Sequence, residues 1–202
     1  MLYAFNSKLL ACRIDSFRAT GDDKFSLWND TGTTLKIIDN ESKKVHKTAN
    51  DVLKSSNGKT MKPIFAVITR KGHKILTCGT TSDGIEFIFF EDGVGVAGSK
   101  LIASESSLDN VKMINCGDIS YDQKYVYVGG ESKSSKPLLC SIKLGKSLKI
   151  LNSQEIVDSS VTGQVNSIRR IEGTDVLITG CKTGIFIVTF KDKTEFSVLF
   201  KY

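Results

Sequence analysis

The chain has 202 residues, 40% of them hydrophobic and 25% charged, which excludes a disordered tail and leaves room for a packed core in one domain or two small ones. A formal net charge of +6 favours acidic partners without requiring nucleic acid. Five cysteines, an odd number with no C-x-x-C pair, fit neither a disulfide framework nor a zinc knuckle and point to a reducing compartment.

No N-terminal signal pattern and no apolar run of about 18 residues stands in the sequence, so no membrane span is expected. The expected location is cytoplasmic, with cytoskeletal or nuclear placement open. The two prolines and the lack of a low-complexity block mark no hinge.

From Ile14 onward the chain repeats itself. Ile14 is followed by a polar turn at Asp22-Asp23, the apolar run Phe25-Ser26-Leu27-Trp28, a second run Leu35-Lys36-Ile37-Ile38, and a weaker strand near Val45. A soft segment rich in Lys, Ser, Thr and Asn follows from Lys43 to Lys62, within which 47–55 offers at most a turn or two of helix. The same order returns from Ile64, with a turn at Gly72-His73 and runs at Ile75-Leu76-Thr77-Cys78 and Ile85-Glu86-Phe87-Ile88, ending near Leu101. It returns again from Ile114, with Asp122-Gln123, Tyr125-Val126-Tyr127-Val128, Leu138 to Ile142 and Leu148. A fourth pass starts at Val165, with Gly173-Thr174, Val176-Leu177-Ile178-Thr179, Ile185-Phe186-Ile187-Val188 and Phe196. The starts lie 50, 50 and 51 residues apart, and glycine closes three of the four leading runs, at Gly79, Gly129 and Gly180.

Short runs of Val, Ile, Phe and Tyr bounded by Gly, Asp, Asn and Ser read as strands throughout, with no amphipathic helix. Four strands per unit of about 50 residues, in tandem, is the pattern of β-propeller blades. A single blade is too small to bury both faces of its sheet, so neighbours must stack on it. The fold class expected is therefore all-β, a propeller of four-stranded antiparallel blades at approximately 10–50, 60–108, 112–157 and 164–202.

The segments "DVLITGCKTGIFIVTF" (175–190) and "KILTCGTTSDGIEFIFF" (74–90) resemble the second and third strands of WD40-like repeats. The Trp-Asp dipeptide of that family is missing, and the one Gly-His pair, at Gly72-His73, sits in the wrong turn. Gly129-Gly130 resembles the double glycine of kelch repeats in one unit only. The WD40-like resemblance implies a ring of seven or eight blades, of which this chain supplies four, so that a larger ring shared with further chain is expected. It also implies a scaffold that docks partner proteins within a multi-subunit assembly.

The glycine spacing of "EDGVGVAGSK" (91–100) imitates a phosphate loop. In the repeat register it falls between a third and a fourth strand, and "LIASESSLDN" after it is too short and serine-rich for the helix a dinucleotide site needs. It is expected to be a hairpin turn. His46 and His73 lie apart in polar segments, Cys78 and Cys181 suit packing, and Asp83, Asp92, Asp118 and Asp122 lack calcium-loop spacing. Trp28 and the cluster Phe87, Phe89 and Phe90 suit packing between blades. No catalytic, cofactor or metal residues are expected, and no enzyme activity.

Loops longer than the minimal turn are free to carry recognition. Two stand out: 43–62, with Lys54, Lys59 and Lys62, and 129–137, with Lys133 and Lys136. In the WD40-like arrangement both loop types emerge at one end of the blades. These five lysines are the expected partner-binding residues, for acidic or phosphorylated protein segments. The alternative is a module that recognises phosphate, lipid or nucleic acid through the same basic loops.

Overall fold

The structure, a computed structural model, describes residues 9–14, 24–29, 34–39, 45–50, 58–59, 61–68, 74–91, 100–105, 108–157, 161–192 and 195–202. The described elements are strands, in four sheets of four. The first sheet holds β1 (Leu9–Ile14), β2 (Lys24–Asn29), β3 (Thr34–Asp39) and β4 (Val45–Asn50). The second holds β5 (Lys62–Ile68), β6 (Lys74–Thr81), β7 (Gly84–Glu91) and β8 (Lys100–Glu105). The third holds β9 (Val111–Ile119), β10 (Tyr125–Ser132), β11 (Pro137–Lys143) and β12 (Lys149–Glu155). The fourth holds β13 (Val165–Arg170), β14 (Val176–Cys181), β15 (Ile185–Lys191) and β16 (Glu195–Lys201). Within each sheet the strands run antiparallel and pair in sequence order. Among the described residues no helix is long and apolar enough to cross a membrane.

The 47–55 expectation is corrected where it can be seen. Residues 47–50 belong to β4, with Lys47 opposite Ile37 and Asn50 opposite Thr34. His46 likewise lies on that strand rather than in a loop. A polar strand at a sheet edge has no apolar run to announce it.

The repeat has a backbone marker. The pairing of each first strand with its second skips a residue at Arg13, Ile64, Asn115 and Asn166, and in the third sheet Lys112 is skipped as well. Such a bulge bends its strand and increases the local twist. The bulge recurs every 51 residues along the first strands; it lies beside Gly79, Gly129 and Gly180 in the second to fourth sheets and beside Phe25 and Ser26 in the first.

Two compact units are present, Met1–Ser106 and Ser107–Tyr202, each with two sheets. In the first, β5 lies against β1 and β2. Phe87 and Phe89 on one face of β7, and Ile88 on the other, are all buried, as are Leu76, Thr77 and Cys78 of β6. This double burial explains the unbroken apolar runs. Trp28 pairs with Leu10 and Leu35 on β2, and its side chain, like that of Phe90, lies outside the described residues.

In the second unit β13 packs on β9 and β10. The shared core joins Tyr127 and Leu139 of the third sheet to Val165, Ile168, Leu177, Phe186, Val188 and Phe190 of the fourth. The Tyr127 ring stacks on Phe190 with centroids 4.4 Å apart. Gly129 lets the two sheets approach: a Cβ there would lie 2.9 Å from Ile168 Cδ1 and Val165 Cβ, and nearer still to Val165 Cγ1. Side chain and backbone then lock the contact, because the bulged Asn115 donates its Nδ2 to the Val165 carbonyl at 3.0 Å.

Candidate functional site

In the second, third and fourth sheets, the segment entering the first strand meets the turn between the second and third strands. In the second sheet Lys59 Nζ pairs with Asp83 Oδ1 at 2.5 Å, and the Asp83 amide donates to Thr81 Oγ1 at 3.1 Å. The turn closes at Gly84, whose φ of 124° suits glycine.

In the third sheet the Lys133 amide donates to the Asn110 carbonyl at 3.0 Å, and the Lys136 amide to Ser132 Oγ at 3.1 Å. Glu155 is the hub: it accepts from the Ser134 hydroxyl and from Asn110 Nδ2, and pairs with Lys136 Nζ at 3.7 Å. The hydroxyls of Ser134 and Ser132, then Asn110 and Lys136, hold its carboxyl below the usual carboxylate range. In the fourth sheet the Thr162 amide donates to Thr183 Oγ1 at 3.1 Å. All three sheets thus tie entering loop to turn by a polar contact of their own.

The sequence-derived lysines fall into place unevenly. Lys59 is ion-paired, Lys62 opens β5 and is exposed, Lys133 is exposed in its turn, and Lys136 is paired to Glu155. Lys54 lies outside the described residues. Lys59 and Lys62 belong to the first unit, Lys133 and Lys136 to the second. Lys112, which the sequence reading passed over, pairs with Glu131 at 3.0 Å. In each unit, described loop lysines thus stand beside carboxylates, and loop composition alone does not reveal that.

The other end of the second unit carries a network that sequence reasoning also missed. Asp118, buried, accepts from the amides of Ile119 at 2.7 Å and Arg170 at 2.9 Å. Arg170 Nε donates to the Ile119 carbonyl at 2.9 Å, and its guanidinium lies over the Tyr121 ring, 5.7 Å from the centroid. Asp175 accepts from the Tyr121 amide at 2.9 Å. These contacts join the third and fourth sheets, so Asp118 is occupied in holding the fold together.

Burial pushes the Cys116 and Cys140 thiols up to about 12 and Cys181 to about 11. Such thiols stay protonated at neutral pH, whereas a nucleophilic cysteine needs its thiolate. Among the described residues no group of three His, Cys, Asp or Glu is placed to hold a metal. The glycine loop 92–99 and His73 lie outside the described residues. Its flanks are informative: Glu91 pairs with Lys100, and Lys100 opens strand β8 rather than the helix of a phosphate site.

No family model matches the chain, and no curated protein matches it. Solved structures do. A candidate 6-phosphogluconolactonase of Bacteroides fragilis NCTC 9343 superposes at a TM-score of 0.63 with 13% identity, over 96% of this chain and 54% of that one. A protein from Lactobacillus plantarum gives 0.64 with 10% identity, over 96% and 55%. The β-propeller domain of Myceliophteria thermophila Cps50 (Swd1) gives 0.59 with 12% identity, over 89% and 56%. The chain spans about half the length of these structures. At such identities the likeness is one of fold: the four-stranded antiparallel sheets are propeller blades.

Proposed function

We propose that this β-propeller chain is a non-catalytic interaction module, WD40-like in type, that docks partner proteins on the loop end of its blades within a larger assembly. The observation that carries this reading is the pairing of Lys59 with Asp83, Lys112 with Glu131 and Lys136 with Glu155. Within each unit, lysines set beside carboxylates and braced by hydrogen bonds match the mixed charge of another protein's rim. A polyanion is better met by a block of one sign. The cysteine usage favours a cytoplasmic setting. The lactonase name belongs to a protein 13% identical and lends no reaction to this chain.

The test compares partners captured by the immobilised full chain at about 0.15 M and about 0.5 M salt, with Lys133→Glu and Lys62→Glu variants alongside. Each lysine-phosphate contact weakens binding roughly threefold over that range, so a polyanion held by several lysines is lost steeply. A protein partner retained at the higher salt and lost in the variants supports the proposal. Binding only to single-stranded RNA or to anionic phospholipid vesicles, released at the higher salt, refutes it in favour of polyanion recognition through 43–62 and 129–137.

A further inference from the structure

Within the second unit a groove follows the seam between β12 and β16, the outer strands of the third and fourth sheets. It holds two cavities that share Gln154, one of about 380 Å³ beside Asn152 and Glu195 and one of about 310 Å³ beside Val157, Val198 and Lys201. Strand pairing fixes which side chains face it. Gln154 pairs with Leu139 and Asn152 with Ser141, and Leu139 belongs to the core shared with the fourth sheet. Both carboxamides therefore stand on the face of β12 turned to the fourth sheet. Across the seam Phe196 pairs with Phe190, Val198 with Val188 and Lys201 with Phe186, and all three partners belong to the same core. Phe196, Val198 and Lys201 thus face the third sheet, with Val198 45% exposed.

The β12 wall keeps hydrogen-bonding capacity in hand. Asn152 Nδ2 donates to Gln154 Oε1 at 3.3 Å, which leaves the Gln154 amide protons and the Asn152 oxygen without a partner among the described residues. The backbone beside them is open as well. The Ile156 amide donates to the Pro137 carbonyl at 2.8 Å, so the alternation of an antiparallel ladder turns the N–H and C=O of Ser153 and Glu155 away from β11. Among the described residues no strand pairs with that edge. Lys201 and Glu195, at opposite ends of the groove, carry opposite charges, which favours an occupant with its acidic side chain at the Lys201 end.

We infer that the groove between β12 and β16 docks an extended peptide of a partner protein, added along the edge of β12, with an apolar side chain over Phe196 and Val198 and a carboxylate at Lys201. Backbone bonds to Ser153, Glu155 and the two carboxamides hold the peptide, and the cavity beside Val198 selects its side chain. None of the five loop lysines lines this groove, so the inference does not rest on the loop-end reading.

The probe is a phage-displayed library of random peptides of about nine residues, enough at about 3.3 Å each to run past the groove wall from Leu151 to Val157. It is selected on the immobilised full chain, and enriched sequences are measured as fluorescent synthetic peptides. The expected result is a motif that sets an apolar residue at a fixed spacing from Asp or Glu. Ser153→Pro removes an N–H that β11 does not use, and is expected to weaken the peptide at least about tenfold with the circular dichroism unchanged. Val198→Asp, at an exposed position, is expected to cost about tenfold as well. Lys201→Glu is expected to weaken the acidic peptide about fivefold and to favour the same peptide with its acid replaced by Lys. The absence of an enriched motif overturns the inference. So do peptides indifferent to Ser153→Pro and Val198→Asp, peptides whose charge preference survives Lys201→Glu, and peptides lost instead in Lys62→Glu or Lys133→Glu, which belong to the loop end. A chain that associates with itself until Ser153→Pro makes it monomeric overturns it too, the occupant then being a second copy.

Discussion

Adding one methyl group at Gly129 tests the packing of the third sheet against the fourth. The new Cβ would meet Ile168 Cδ1 and Val165 Cβ at 2.9 Å, and Val165 Cγ1 closer still, where carbon atoms prefer about 3.5–4.0 Å. Neither neighbour has space to retreat into, since Val165 is 0% and Ile168 2% exposed, and the Val165 Cβ is fixed by its backbone. Overpacking of this kind costs about 1–3 kcal/mol. The loss of glycine's freedom in the unfolded chain returns about 0.4–1 kcal/mol, so Gly129→Ala is expected to destabilise by about 1–2 kcal/mol net. For a chain of this size that lowers Tm by roughly 2–8 °C in a thermal melt followed by circular dichroism. Val165→Ala removes the nearest atom, so the double variant should lose less than the two single losses combined, with a coupling of about 1 kcal/mol. A Gly129→Ala variant melting within about 1 °C of the parent, with a strictly additive double variant, would refute the reasoning.

Three further outcomes follow from the same unit. The Tyr127 hydroxyl is buried without a hydrogen-bond partner while its ring stacks on Phe190. Tyr127→Phe should therefore be neutral or stabilising by up to about 1 kcal/mol in urea unfolding, and a clear loss would mean the hydroxyl has a role. Asp118→Ala strips the acceptors from the Ile119 and Arg170 amides and should cost about 2–4 kcal/mol, with the Arg170 amide among the first to gain exchange with solvent. The Glu155 carboxyl is held low in the folded state, so its bonds to the 132–136 turn persist above the ordinary carboxylate pKa and are lost as pH falls through the lower folded value. The protection of amides in that turn against exchange should fall as the pH drops through the lowered value, and Glu155→Gln should remove that acid step.

The interior strands were legible because burial on both faces writes itself into composition. Tyr125 to Val128 and Leu138 to Ile142 are apolar at nearly every position, and both segments lie inside β10 and β11. The fourth strands were faint for the opposite reason: β12 is partly exposed along almost its whole length, and β4 reads VHKTAN. The repeat itself was visible, but its register was set by apolar starts at Ile14, Ile64, Ile114 and Val165, whereas the backbone keeps time by the bulges at Arg13, Ile64, Asn115 and Asn166. A bulge requires no particular residue type, so composition does not mark it. The lysines of the long loops could be named from sequence, but not their partners. Asp83 lies 24 residues from Lys59 and Glu155 lies 19 from Lys136, and only the folded hairpins bring them together.

Every described strand pairs only with strands next to it in sequence. The longest wait for a backbone partner is thus the length of a single connecting loop. A sheet emerging from the ribosome can zip its entire ladder before the next one is synthesised, since no strand is held open for a distant mate. The same locality makes a blade a unit of inheritance: duplicating or deleting about 50 residues leaves every other ladder whole and disturbs only the apolar faces on either side.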